Sequence, residues 1–142
     1  MRTYAHGTSL SANRSLPGNV PAVDSESCDV SLTIPAKPGY LVLARLALSA
    51  VCRLTSLQPA EIADLKLAVT EAASDFVEVG GEDDAVAFAF RLHPDRLAIE
   101  LSGPAGTSPP DELELSRAII AATVDQADFS AGRTTLAKWL EA

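Results

Sequence analysis

Apolar and polar residues begin to alternate at Cys28. Val30, Leu32 and Ile34 stand against Asp29, Ser31 and Thr33, the two-residue period of a half-buried strand, and Pro35 and Pro38 close it. After Gly39 the period lengthens. Tyr40, Leu43, Leu46, Ala47 and Ala50 fall at helical spacing with Arg45 and Arg53 elsewhere on the wheel, which predicts a first helix over about 39–54. The stretch Leu57 to Val79 predicts a second. Pro59 suits a first helical position, Glu61 favours the positive end of the macrodipole, and Ile62, Leu65, Val69, Ala72 and Phe76 form a continuous apolar stripe. Gly80-Gly81 stops it.

A hairpin follows, with Val86, Phe88, Phe90 and Leu92 on one face and Ala85, Ala87 and Ala89 on the other. His93-Pro94-Asp95 supplies the turn, and Leu97, Ile99 and Leu101 alternate again. The alanine face predicts close approach of helices or a partner on that side. Beyond the loop PAGTSPP, Asp111 with Glu114 three residues on has the form of a capping box, and Leu115, Ile119 and Ala122 carry a third helix to about Asp125. A last hairpin spans Asp128 to Leu140 around Gly132, with Thr134, Leu136, Lys138 and Leu140 on one face and Trp139 on the other. The order β-α-α-β-β-α-β-β predicts an α+β fold, a two-layer sandwich on a mixed, mostly antiparallel sheet. Residues 1–27, rich in Ser, Gly, Asn and Pro, predict a flexible N-terminal tail ahead of one domain over 28–142.

Charge narrows the range of partners. The chain of 142 residues has a formal net charge of −8. Arg2 and Arg14 cancel Asp24 and Glu26, so the whole excess falls on the predicted domain. Such a surface repels phosphate backbones and anionic lipid, which argues against direct nucleic-acid or membrane binding and leaves basic protein partners open. Apolar runs such as Tyr40 to Ala44 are short, and no apolar h-region precedes Pro17, so neither a membrane span nor a secretory signal is expected. The expected compartment is the cytoplasm. Cys28 and Cys52 lack metal-type spacing and read as two buried thiols in a reducing environment, while His6 and His93 are too dispersed to complete a zinc site.

Candidate chemistry is sparse. No histidine has a nucleophile setting, and there is neither a GxxxxGK[ST] loop nor a GxGxxG after a strand. What remains is the second helix, where Glu71 and Asp75, four apart, share a face with Leu67 and Glu78. Two carboxylates there suit a magnesium ion or a base-and-ligand pair. The spacing equally describes a solvated helix face with a mildly repulsive pair.

The stretches IPAKPGYLVLARLALSAV and EIADLKLAVTEAASDF resemble the anti-sigma factors of the RsbW and sporulation type, serine kinases with the GHKL (Bergerat) histidine-kinase-like ATPase fold. The similarity runs from about Val30 to Leu140, with DLKLAVTEA its most specific part and GRTTL a weaker match to the family's last strand. The resemblance implies helices on one face of the sheet, ATP and Mg2+ as cofactors, and a sigma factor or an anti-anti-sigma (STAS) protein as partner. It also implies a homodimer, since the family commonly dimerises.

Its site motifs are altered. In the family's first box, Glu-x-x-x-Asn, the Glu activates the attacking hydroxyl and the Asn ligates magnesium. Here Glu71 is retained as a vestigial candidate base, and Asp75 replaces the Asn as candidate magnesium ligand. The second box, Asp-x-Gly-x-Gly, matches Leu101 to Gly106, with Leu101 where the adenine-binding Asp belongs and Gly103 and Gly106 as vestigial nucleotide-binding positions. The glycine-rich lid is replaced by Asp111-Glu112-Leu113-Glu114-Leu115, whose acids oppose a polyphosphate. The expectation is an anti-sigma-type regulator with lost or weak ATP binding. The alternative is an active ATP-dependent serine/threonine kinase acting on an anti-anti-sigma protein.

Overall fold

The computed structural model describes residues 2–5, 28–106 and 108–141, with the backbone alone described for 2–5 and 28. Its elements are β1 (Arg2–Ala5), β2 (Cys28–Pro35), a 3-10 turn (Pro38–Tyr40), α1 (Leu41–Cys52), α2 (Pro59–Val79), β3 (Ala85–Leu92), β4 (Arg96–Ser102), α3 (Pro110–Thr123), β5 (Gln126–Ser130) and β6 (Arg133–Trp139). The sheet has six strands in the order β1-β2-β3-β4-β6-β5. Every pairing is antiparallel, so the expected mixture does not extend to parallel pairs among the described residues.

Alternation explains the two layers. Leu32, Ile34, Val86, Phe88, Phe90, Leu97, Ile99, Leu101 and Leu136 project to one side and are buried beneath the helices. Register keeps them together: Leu32 faces Phe88, Phe90 faces Ile99, and Ile99 faces Leu136. A one-residue slip would turn the whole set to solvent, so burial of one face specifies the pairing. The other side carries Ser31, Thr33, Ala87, Ala89 and Ala98, all half-buried, and no described helix covers it. The alanine face therefore looks away from the helices.

Helix α2 is the central support. Pro59 opens it and the Glu61 carboxylate accepts the Gln58 N–H at 2.9 Å, which satisfies one of the donors a helix start leaves unpaired. Leu65, Ala68, Val69, Ala72, Ala73 and Phe76 are its buried stripe. Near its start, Lys138 Nζ of β6 lies 3.6 Å from both Glu61 and Asp125, and Asp125 also accepts the Trp139 N–H at 2.7 Å.

The structure corrects several expected details. Arg2–Ala5 pairs with β2 as an edge strand, inside the segment expected to be tail; the remainder of 1–27 lies outside the described residues. The core face of α1 is Leu41, Ala44, Leu48, Val51 and Cys52, and Leu46 of the predicted stripe is 61% exposed. All of α1 except Arg45 and Ser49 is apolar, so periodicity had little contrast from which to set the phase. In α3 the buried residues are Ser116 and Ile120, while Leu115 is 63% exposed. That helix starts with Pro110 after Pro109, so Asp111 lies inside its first turn rather than capping it. Cys52 is a buried free thiol whose ionisation burial opposes, with Lys66 pulling the other way; the Cys28 side chain lies outside the described residues.

Candidate functional site

The C-terminal half of α2, the β4–α3 loop, the start of α3 and the β5–β6 turn enclose a cleft of about 180 Å³. Asp75, Phe76 and Val79 form its floor, Pro104 to Gly106 and Ser108 one wall, and Leu113, Arg117, Phe129 and Gly132 the other. The volume is below the roughly 300–1,000 Å³ common for small-molecule pockets.

Close backbone approach explains the size. A Cβ on Gly103 would stand 2.9 Å from the Phe76 ring, and one on Gly106 would stand 2.8 Å from Val79 Cβ. Both glycines are therefore used to lay the loop directly on α2. The Gly103 N–H donates to the Gly132 carbonyl at 3.0 Å, and Gly132, at φ +74°, turns the β5–β6 hairpin so that this carbonyl faces the loop.

Ser116 Oγ, 3% exposed, donates to Asp75 Oδ2 at 2.6 Å and links α3 to α2. Burial pushes the Asp75 carboxyl above its ordinary range; the Ser116 hydrogen bond and Arg117 oppose this, while Glu71 and Glu78 add to it. Arg117 lies over the Phe129 ring, 4.9 Å from its centroid, and closes the outer wall. Ser108 Oγ donates a long 3.5 Å contact to Glu78.

The residues singled out from sequence divide accordingly. Asp75 and Gly106 line the cleft. Glu71, one turn back along α2, is half-buried and does not line it, and Gly103 backs onto Phe76 instead of facing the opening. Leu101 is not a cleft residue. It is fully buried in the sheet core opposite Phe88 and Thr134, and alternation along β4 makes Gly103 the next residue on that side. Asp111, Glu112 and Glu114 are exposed on α3, and of that segment only Leu113 lines the cavity. Ser116, Arg117 and Phe129 were not singled out. The available signal was Ser116 four residues before Ile120, a polar residue at core spacing opposite an acid-bearing helix. Among the described residues no three His, Cys, Asp or Glu side chains converge as a metal site.

Residues 34–136 match the model of the histidine kinase-like ATPase domain. The chain belongs to that family. It is 39% identical over 83 residues to the serine-protein kinase RsbW of Bacillus pumilus, covering 55% of this chain and 51% of the relative. With RsbW of Listeria innocua it shares 34% identity over 76 residues, 51% of this chain and 48% of that one. This histidine kinase-like ATPase chain thus spans about half the length of the curated relatives it matches. Among solved structures, the RsbU and RsbW domains of Rv1364c from Mycobacterium tuberculosis superpose with a TM-score of 0.57 at 19% identity, covering 79% of this chain and 33% of that one. That likeness supports the RsbW-type fold, with the cleft on its helical side. No helix among the described residues is long and apolar enough to cross a membrane.

Proposed function

We propose that this chain is an anti-sigma-type regulator that acts in the cytoplasm by holding a sigma factor or an anti-anti-sigma (STAS) protein, with nucleotide binding weak or lost. The observation that carries the reading is the approach of Gly103 to the Phe76 ring, which leaves a cleft of about 180 Å³. A nucleotide entering there would have to lift the loop from α2 and separate Gly103 from Gly132. Asp75, the candidate magnesium ligand, already accepts the Ser116 hydroxyl at 2.6 Å. The strand end offers no side chain at Gly103 to accept a hydrogen bond from a base. These residues fit Mg-ATP poorly, and no reaction step is assigned to it.

The RsbW relatives' description as serine-protein kinases favours a second reading, phosphoryl transfer to an anti-anti-sigma protein with Glu71 as base. One titration separates the two. The regulator reading expects Mg-ATP affinity weaker than about 100 μM by calorimetry, a binding free energy less favourable than about −5.5 kcal/mol. Micromolar binding, together with label transfer to a STAS protein that Glu71→Ala abolishes, would establish the kinase instead.

A further inference from the structure

Strand β1 has four residues and pairs with β2 from Arg2 opposite Thr33 to Ala5 opposite Val30. Residues 6–27, 22 in all, separate Ala5 from Cys28, where about two to five commonly join adjoining antiparallel strands. The match to the family model begins at residue 34, so β1 and this connection lie outside it. Strand β2 does not need β1 for its place in the sheet, because all eight of its residues pair with β3. What β1 covers is the opposite edge of β2, a row of backbone N–H and C=O groups that can take a further strand.

Beside that edge the face turned away from the helices is hollowed. Ser31, Thr33, Ala87, Ala89, Glu100 and Ser102 surround a cavity of about 270 Å³. Glu100, at the side far from β1, is held by Arg133 at 3.2 Å and Arg91 at 3.9 Å. The part nearest β2 is therefore walled by small, uncharged side chains. Residues directly opposite one another in an antiparallel pair share a face, so any strand on this edge brings its residues opposite Ser31 and Thr33 to the hollow. In this chain those register positions belong to Tyr4 and Arg2.

We infer that the outer edge of β2, with this hollow, is a binding site for an extended segment of a partner protein that pairs with Val30 to Thr33 through its main chain and sets large side chains, one of them aromatic, over Ala87 and Ala89. Strand β1 is the chain's own occupant of the site and shows the mode of binding. Main-chain pairing supplies affinity in such added strands, and pockets for alternate side chains supply the choice of partner. Release of β1 is local, since it frees four residues at a sheet edge and leaves β2 on β3. A tethered strand competes at an effective concentration on the order of millimolar, so β1 sets the affinity a partner segment must exceed.

This inference rests on the reading of the chain as a partner-binding regulator and names the form of segment it takes. The probe is a labelled peptide of the chain's first eight residues, titrated with the full chain and read by anisotropy. Thr3→Pro with Tyr4→Pro in the full chain disables β1, because one of two neighbouring N–H groups faces β2 whatever the phase of the ladder. The expected result is peptide binding about tenfold or more tighter in that variant than in wild type, with hydrogen exchange at Val30 to Thr33 slowed when the peptide is bound. A peptide with the same two prolines should not bind, and one with Arg2→Ala and Tyr4→Ala should bind about fivefold or more weakly. An unchanged circular dichroism spectrum verifies the fold, and Thr3→Gly with Tyr4→Gly, which loosens β1 without blocking it, supplies a second opened variant. Four results would overturn the inference: no gain in affinity in either opened variant, a proline peptide that binds as tightly as the unchanged one, an alanine peptide that does so, or a wild-type dimer by light scattering that the proline pair splits. The Mg-ATP titration reads the cleft on the helical side, so its failure leaves the β2 edge untouched, and failure at that edge leaves the cleft reading standing.

Discussion

Replacing Ser116 by alanine removes the hydroxyl that bonds Asp75 Oδ2 at 2.6 Å and little else, since Ser116 is 3% exposed and its Cβ is retained. A hydrogen bond to a charged group contributes about 1.5–3 kcal/mol, and Asp75, reached in part by solvent, belongs at the lower end. The expected loss at pH 7 is therefore about 2 kcal/mol, or about 8 °C in Tm for a domain near this size. The loss must also depend on pH. Burial raises the folded Asp75 above its ordinary 3.8, so the folded state holds this proton more tightly than the unfolded chain. Stability from this group is fully present below 3.8 and is lost as pH rises through the folded value.

Removing Ser116 deletes the donor that opposes the shift, so the folded value climbs further and the variant loses more on the way to neutrality. In acid the bond joins two neutral groups, contributes about 1 kcal/mol, and the difference between wild type and variant shrinks accordingly. Urea unfolding of both proteins at pH 4 and pH 7 measures this. Asp75→Asn, which keeps an acceptor for Ser116 without a charge, is expected to flatten the pH dependence in either background, and the double variant closes the cycle. A difference that is the same at both pH values, or under about 0.5 kcal/mol at pH 7, would refute the reasoning.

Two more substitutions probe how the cleft is closed. Gly103→Ala drives a methyl to 2.9 Å from the Phe76 ring and is expected to cost about 1–3 kcal/mol by overpacking, read as a lower urea midpoint; a neutral result would mean that the loop lifts freely from α2. Leu101→Asp, which would restore an adenine acceptor if Leu101 faced the cleft, instead buries an unpaired carboxylate opposite Phe88 and should abolish the folded state by circular dichroism. A well-folded Leu101→Asp protein with gained ATP affinity would restore Leu101 to the cleft.

The fold was legible where alternation had contrast. Val86 to Phe90 against the alanines, and Leu97 to Leu101 against Ala98 and Glu100, leave one sorting of residues into two faces, and the structure adopts it, though the helices cover the phenylalanine face and not the alanine face where their approach was expected. The α2 stripe was equally clear, because Asp64, Glu71 and Glu78 mark the side opposite Leu65 and Phe76. The phases of α1 and α3 were hidden for different reasons. Helix α1 is apolar almost all round, so its largest side chains pointed to the wrong arc. Helix α3 buries a serine in place of Leu115 because Asp75 lies opposite, a contact between residues 41 apart that no local pattern records. Strand β1 is short, polar and paired with a distant segment, which leaves no periodic signal. At the cleft, the matched motif pointed to Leu101, which the register of β4 instead buries in the sheet core opposite Phe88 and Thr134.

The −8 charge acquires a geography once these faces are placed. Glu71, Asp75 and Glu78 share one side of α2, and Asp111, Glu112 and Glu114 are exposed near the start of α3, so acids surround a cleft whose own lining carries Asp75 and Arg117. An anion approaching it meets carboxylates and a loop already seated on Phe76. Helix α1 and its C-cap carry the opposite sign, with Arg45 and Arg53 and no acid, and neither arginine has an ion-pair partner among the described residues.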